Sequence, residues 1–179
     1  MKQAFREKIG LLTKGYTNED LMRFSEEIFQ KLEKTKVFAE SKYILAYYSF
    51  PGEVYTHDFI EKYAKEKTII LPVVQKDVLV LREYKGLKNM QQSTYGIWEP
   101  TGEDFTDFSK IDLAIIPGRV FGRNLNRLGR GKGYYDRLLP NLSAYLIGVS
   151  YSFQIKEEVP VEPHDFPMDC IISQDEMIV

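Results

Sequence analysis

PGRVFGRNLNRLGRGKGYYDRLL, residues 117 to 139, follows directly on IDLAIIP at 111 to 117, the most apolar short run in the chain. A brief apolar segment that ends in glycines reads as a buried strand delivering the chain to a ligand loop. The loop holds Gly118, Gly122, Gly129, Gly131 and Gly133 with Arg119, Arg123, Arg127, Arg130, Lys132 and Arg137, and one acid, Asp136. Six positive charges against one negative make a local +5 in a chain of net charge −2, so the remainder carries −7. Glycine reaches positive φ and lets successive N–H groups turn inward, which forms a hollow suited to an anion. A helix starting near Gly131 or Gly133 and stopping at Pro140 aims its free N–H groups into the same hollow. The physical reading is a polyphosphate cradle.

Outward from that loop, strand and helix patterns alternate. YILAYYS (43–49), TIILPVV (68–74), VLVLREY (78–84), YLIGVSY (145–151) and CIIS (170–173) are short β-branched or aromatic runs that read as strands. The second and third form a hairpin around Gln75, Lys76 and Asp77. Helices are predicted over 2–12, over 18–35 behind a Thr17/Asp20 capping box, and after a Thr56 cap with Phe59, Ile60, Tyr63 and Ala64 inward. Between 85 and 108 the periodicity is weak, with the lone Trp98 in GIWEP. These elements predict an α/β fold: a single domain with a mixed, mostly parallel sheet flanked by helices, three-layered and Rossmann-like.

Length and composition agree. A chain of 179 residues suits one core, burying roughly 70% of its unfolded surface. The 44% hydrophobic and 28% charged content is that of a folded, soluble protein. No eighteen apolar residues run together and the charged N-terminus lacks an export segment, so the expectation is a cytoplasmic protein with no membrane partner. Cys170 has no partner for a disulfide and lies in an apolar run, as a buried thiol does. The acidic remainder argues against a nucleic-acid partner.

The motif excludes two familiar phosphate sites. Gly131-Lys132 is followed by Gly133 where a Walker loop requires Ser or Thr. The alternating glycines begin more than ten residues beyond the strand, too far for a dinucleotide fingerprint. What remains is a loop whose amides, with Arg127, Arg130 and Lys132, hold phosphates, and Asp136 as a carboxylate for Mg²⁺. Asp169 is a second carboxylate if the C-terminal segment folds back over the site. Glu53 lies on a strand-to-helix loop, where open α/β sheets bind ligands. From these residues alone the readings are a phosphoryl-transfer enzyme acting on a small molecule or a nucleotide- or RNA-binding module, and the acidic remainder disfavours the module.

RLGRGKGYYD, residues 127 to 136, resembles the signature of the 5-formyltetrahydrofolate cyclo-ligase family. Lys2 and Arg6, YYS with Glu53 and Thr56, GIWEP, Pro117 to Phe121 and the Pro-rich segment with Asp169 follow in the same order, so the resemblance spans the chain. It implies ATP-dependent closure of 5-formyltetrahydrofolate to 5,10-methenyltetrahydrofolate, releasing ADP and phosphate. It further implies that Lys2, Arg6 and the loop Arg127, Leu128, Gly129, Arg130, Gly131, Lys132, Gly133, Tyr134 and Tyr135 hold ATP. Arg130 and Lys132 then stabilise the transfer, Asp136 and Asp169 bind Mg²⁺, and Glu53 holds the reduced folate. Tyr48, Trp98 and Tyr151 are candidate walls for the flat pterin of a monomeric enzyme. Relatives commonly carry Asp after the Phe of P-G-x-x-F, where this chain has Gly122 and then Arg123.

Overall fold

The computed structural model describes all residues from Met1 to Val179. In chain order the elements are α1 (Lys2–Thr13), α2 (Asn18–Glu33), α3 (Lys36–Glu40), β1 (Tyr43–Leu45), α4 (His57–Tyr63), β2 (Thr68–Gln75) and β3 (Val78–Glu83). They continue with β4 (Met90–Gln92), β5 (Trp98–Pro100), β6 (Leu113–Ile116), β7 (Val120–Gly122), β8 (Arg127–Leu128) and α5 (Tyr134–Leu138). The chain ends with β9 (Tyr145–Val149), β10 (Ile155–Lys156), β11 (Cys170–Ile172) and β12 (Met177–Ile178). The main sheet has the order β12-β11-β9-β6-β1-β2-β3. Its five central strands are mutually parallel, and β12 and β3 close the edges antiparallel.

Period-two alternation divides the strands between two cores. Ile44, Ile69, Leu113, Ile115, Ile147 and Ile172 face one way, onto Ile28, Leu32, Phe38, Phe59 and Ile60 of α2, α3 and α4. Leu45, Ile70, Ala114, Ile116, Leu146 and Ile171 face the other way, onto Leu138 and Leu139 at the end of α5. Helices thus flank a mostly parallel mixed sheet. The Thr17 hydroxyl accepts the Asp20 N–H and the Asp20 carboxylate accepts that of Thr17, the expected capping box.

Several elements differ from expectation for local reasons. The second helix stops at Glu33, and Thr35 starts α3 by capping the Phe38 N–H. The first strand stops at Leu45 because hydroxyls take over beyond it: Thr56 Oγ1 donates to Tyr47 O at 2.6 Å and accepts from Ser49 N–H at 3.1 Å. Thr56 is therefore a strut under the loop after β1 and makes no side-chain cap to α4. Residues 90–100 form the β4–β5 hairpin, and the basic loop itself contains a second hairpin, β7–β8, joined by β10.

One aromatic wedge fixes that second hairpin to the sheet. Phe121 is fully buried, and a Cβ built at Gly118 or Gly148 falls only 2.6 Å or 2.4 Å from its ring. Glycine is required at both places because the ring occupies the space. Gly122 and Arg123 lie beyond it: Arg123 forks onto Glu176 at 2.9 Å and 2.7 Å, which ties β7 to the C-terminal strands. Phe121→Ala is expected to lower unfolding stability by about 3–5 kcal/mol through lost burial and a cavity, and Gly148→Ala by about 1–3 kcal/mol through overpacking. Urea denaturation with an unchanged m-value is the check.

Candidate active site

The strand order places β1 between β6 and β2, and the chain leaves β1 toward β2 while β6 lies on its other side. Such a reversal opens a crevice beyond the carboxyl ends of the strands. Here Tyr47, Tyr48 and Glu53 follow β1 and Pro117 and Gly118 follow β6, and together they line a cleft of about 400 Å³. The β2–β3 hairpin adds Pro72, Val74 and Leu79, and β5 adds Trp98.

The glycine loop forms the opposite wall, and its geometry explains its sequence. Gly131 has φ +102° and Gly133, the residue before α5, has φ +68°. A Cβ at Gly129 falls 2.9 Å from Arg127 Nη1, so the loop folds directly over that guanidinium. Arg6 of α1 crosses to the loop, where its Nε donates to Gly129 O at 2.8 Å and its guanidinium lies against Gly131. Lys132 is exposed, lines the cleft and makes no hydrogen bond within the protein.

The cations of the loop differ sharply in burial. The Arg127 side chain is 4% exposed; its Nη1 donates to Pro117 O and its Nη2 to Asp136 Oδ1, both at 3.1 Å. Its Nε is buried without a partner. Burial lowers its pKa, with the Asp136 charge opposing the shift. Arg130 is half exposed, and its Nη2 meets Glu53 Oε1 at 2.9 Å while its guanidinium covers the Phe50 ring. The other Glu53 oxygen accepts the Phe50 N–H at 2.9 Å.

Three tyrosines surround Glu53. Burial first, and the Glu53 charge after it, push Tyr47 and Tyr135 well up; Tyr151 is pushed up to about 12 by burial and Glu53 against a hydrogen bond from Ser25. Tyr47 donates to Val54 O and Tyr151 to Glu53 O, each at 2.8 Å. Tyr48 stacks on His57 with ring centroids 3.6 Å apart. Burial lowers the His57 pKa.

Of the residues named from the sequence, Lys2, Arg6, Tyr48, Glu53, Trp98 and every residue from Arg127 to Asp136 line this one cleft. Two do not. Tyr151 has no exposed surface and stands behind Glu53, holding its backbone instead of forming a ligand wall. Asp169 is at the opposite end of the sheet: its carboxylate accepts the Leu146 N–H at 2.7 Å, at the amino ends of β9 and β11.

The acid that returns to the cleft is Asp165, with Glu162 and His164 beside it. Lys2 Nζ bridges Glu162 at 2.9 Å and Asp165 at 3.0 Å. Burial opposes the Lys2 charge, but those two hydrogen bonds outweigh it and raise its pKa. Burial likewise opposes the Asp165 charge, and Lys2 with the Glu162 N–H still hold its carboxyl below the ordinary range. A sequence signal for this choice exists. Asp169 abuts the apolar run of a parallel strand and must lie at its amino end, whereas Asp165, four residues earlier, is free of that register.

The profile of the 5-formyltetrahydrofolate cyclo-ligase family matches residues 1–174. The chain belongs to the 5-formyltetrahydrofolate cyclo-ligase family. The solution structure of 5,10-methenyltetrahydrofolate synthetase from Aquifex aeolicus superposes with a TM-score of 0.89 at 32% identity, covering 98% of this chain and 91% of that one. The 5-formyltetrahydrofolate cyclo-ligase of Haemophilus influenzae is 33% identical over 142 residues, 74% of this chain and 76% of its own. A probable 5-formyltetrahydrofolate cyclo-ligase of Caenorhabditis elegans is 28% identical over 100% of this chain and 95% of its own. As a member of this ligase family the chain is an enzyme, and its central sheet is that of the cyclo-ligase structures.

Within this cyclo-ligase site, Arg127 and Lys132 should separate by stability. Arg127→Ala strands Asp136 beside a buried gap and is expected to cost about 3–5 kcal/mol, while Lys132→Ala, at an exposed position, stays within about 0.5 kcal/mol. Thermal and urea unfolding of the two variants against wild type measures the contrast.

Proposed function

We propose that this cleft performs the ATP-driven closure of 5-formyltetrahydrofolate to 5,10-methenyltetrahydrofolate, with release of ADP and phosphate. The observation that carries the reading is the pairing of opposite walls. A glycine loop with Lys2, Arg6, Arg130 and Lys132 faces Glu53, Tyr48 and Trp98 across one cleft at the sheet's switch point. Cations and turned amides suit a triphosphate, and a carboxylate between aromatic rings suits a flat, nitrogen-rich pterin.

A formyl oxygen on an amide carbon is a poor leaving group, so cyclisation needs it replaced. Attack of that oxygen on the γ-phosphorus forms an O–P bond and breaks the bond to ADP, which leaves with the electron pair. N10 then adds to the activated formyl carbon, the C–O bond breaks, and phosphate departs with the N10 proton. Lys132 neutralises charge on the transferring phosphoryl oxygens, and Arg130 does so once it leaves Glu53. Glu53, freed of Arg130, takes the pterin N–H groups. Lys2 and Arg6 fasten the nucleotide from α1.

Mg²⁺ fits the acids of the cleft. Asp136 and Asp165 both line the cleft and both act on the Arg127 charge, and Asp136 commits only Oδ1 to a protein partner. Hard carboxylate oxygens next to a phosphate cradle are the donors Mg²⁺ takes, and when bound it screens the phosphate charge. Asp136 with Asp165, in place of Asp169, would hold it. We place the enzyme in the cytoplasm and take it as a monomer; its single cysteine, buried in β11, needs no oxidising compartment.

The test combines the purified protein with Mg-ATP and 5-formyltetrahydrofolate and follows the methenyl product by ultraviolet absorbance. Stoichiometric ADP release is expected alongside, and ATP turnover only with non-folate acceptors would replace this reading. Lys132→Ala should lower kcat/KM for ATP by about 100-fold or more. Asp136→Asn should raise the Mg²⁺ concentration at half-maximal rate by about tenfold, the loss of one charge-assisted contact.

A further inference from the structure

Resting on the cyclo-ligase reading, we propose that the Tyr135 hydroxyl is a catalytic hydrogen-bond donor to the formyl-derived oxygen as the C–O bond breaks and phosphate leaves.

The geometry singles out this side chain. Of the three tyrosines around Glu53, Tyr47 is committed to Val54 O and Tyr151 to Glu53 O and the Ser25 hydroxyl. Tyr135 is the third, and its hydroxyl makes no hydrogen bond within the protein. Neither is it a sealed, orphaned group, since the fully buried atom lacking a partner is Arg127 Nε alone. Its oxygen therefore keeps some accessible surface, in a residue that lines the cleft. The ring is fixed: the Arg127 guanidinium covers it at 5.3 Å, and the side chain packs against the core on the α5 side of the sheet. Tyr135 thus holds a free donor on a clamped ring, between the phosphate wall at Arg127 and the pterin wall at Glu53.

The oxygen that joins the two substrates must lie between those walls. It begins as the formyl oxygen of the folate, becomes the bridge to phosphorus, and ends on phosphate. Charge develops on it when N10 has added and the C–O electron pair moves to oxygen. A preorganised donor aimed there lowers that barrier. A phenol titrates near pH 10 and carries its proton at neutral pH, so it donates and does not act as a base. The cations of the loop act on the peripheral phosphoryl oxygens, and Tyr135 acts on the bridging one.

Tyr135→Phe is the discriminating variant, because it removes an atom that bonds nothing in the protein and keeps the ring that packs. It is expected to melt with wild type and to bind ATP within about twofold by calorimetry. Turnover with 5-formyltetrahydrofolate should fall at least tenfold in kcat, toward the hundredfold typical of one lost donor, with KM for both substrates little changed. Rapid quench should show a burst of one ADP per site ahead of methenyl formation, since C–O cleavage then limits turnover. Turnover within twofold of wild type overturns the proposal, and so does a loss confined to ATP affinity or stability. If the wild-type protein itself makes no methenyl product, the cyclo-ligase reading fails and this role with it.

Discussion

A buried guanidinium with a carboxylate at 3.1 Å organises the ligand side of this molecule. Arg127 is almost without solvent contact, and desolvating a cation is costly unless its partners are in place. Asp136 and the Pro117 carbonyl supply two of them, which binds the start of α5 to the end of β6 through a single side chain. Gly129 has no Cβ because that guanidinium occupies its space, and the same guanidinium lies over the Tyr135 ring. The shape of the phosphate wall thus follows from one ion pair and the glycine that lets the backbone pass over it.

That constraint also sorts the charges. Of the acids that line the cleft, Asp136 has Arg127, Asp165 and Glu162 share Lys2, and Glu53 has Arg130, while Glu99 is buried and accepts the Val74 N–H instead. The surplus of positive charge in the loop is partly neutralised before any ligand arrives, at Arg130 by Glu53 and at Arg123 by Glu176, acids drawn from distant parts of the chain. Binding a triphosphate and a pterin means exchanging partners. The Arg130–Glu53 pair is the one that exchanges most readily, because its guanidinium is half exposed and solvent screens it, although Glu53 itself is largely buried.

Much of this was legible in the sequence. The strand running into a glycine-rich basic loop, the hairpin at 75–77 and the Thr17 cap are local signals, and each is present. The loop residues and Glu53 could be assigned to one cleft because strand-to-helix loops share one edge of a parallel sheet. The failures share a cause, which is dependence on contacts distant in the chain. Asp169 is a candidate only as long as the register between β11 and β9 is unknown, and nothing local singles out Asp165. Tyr151 reads as a candidate pterin wall until its hydroxyl is seen hydrogen-bonded to Ser25, far away in α2. Nor does composition reveal that Arg127 lies inside, for an arginine within RLGRGK looks like its neighbours.

The distinction between inside and outside arginines bears on how phosphate is held. Arg127 has already lost its water and met its partners, so an incoming phosphate gains little from it beyond the fixed field it casts. Lys132 has lost nothing and is bound to nothing, and its full charge is available when a ligand displaces the surrounding water. Arg130 lies between, since its contact with phosphate is offset by release of Glu53. A loop with six cations over its whole length therefore presents few that are free to act on a transferring phosphoryl group, and these lie toward the α5 end, next to Tyr135 and across from Glu53. On the proposed reaction the transferring group is drawn to that end, against the wall proposed for the pterin and away from the hairpin anchored by Phe121.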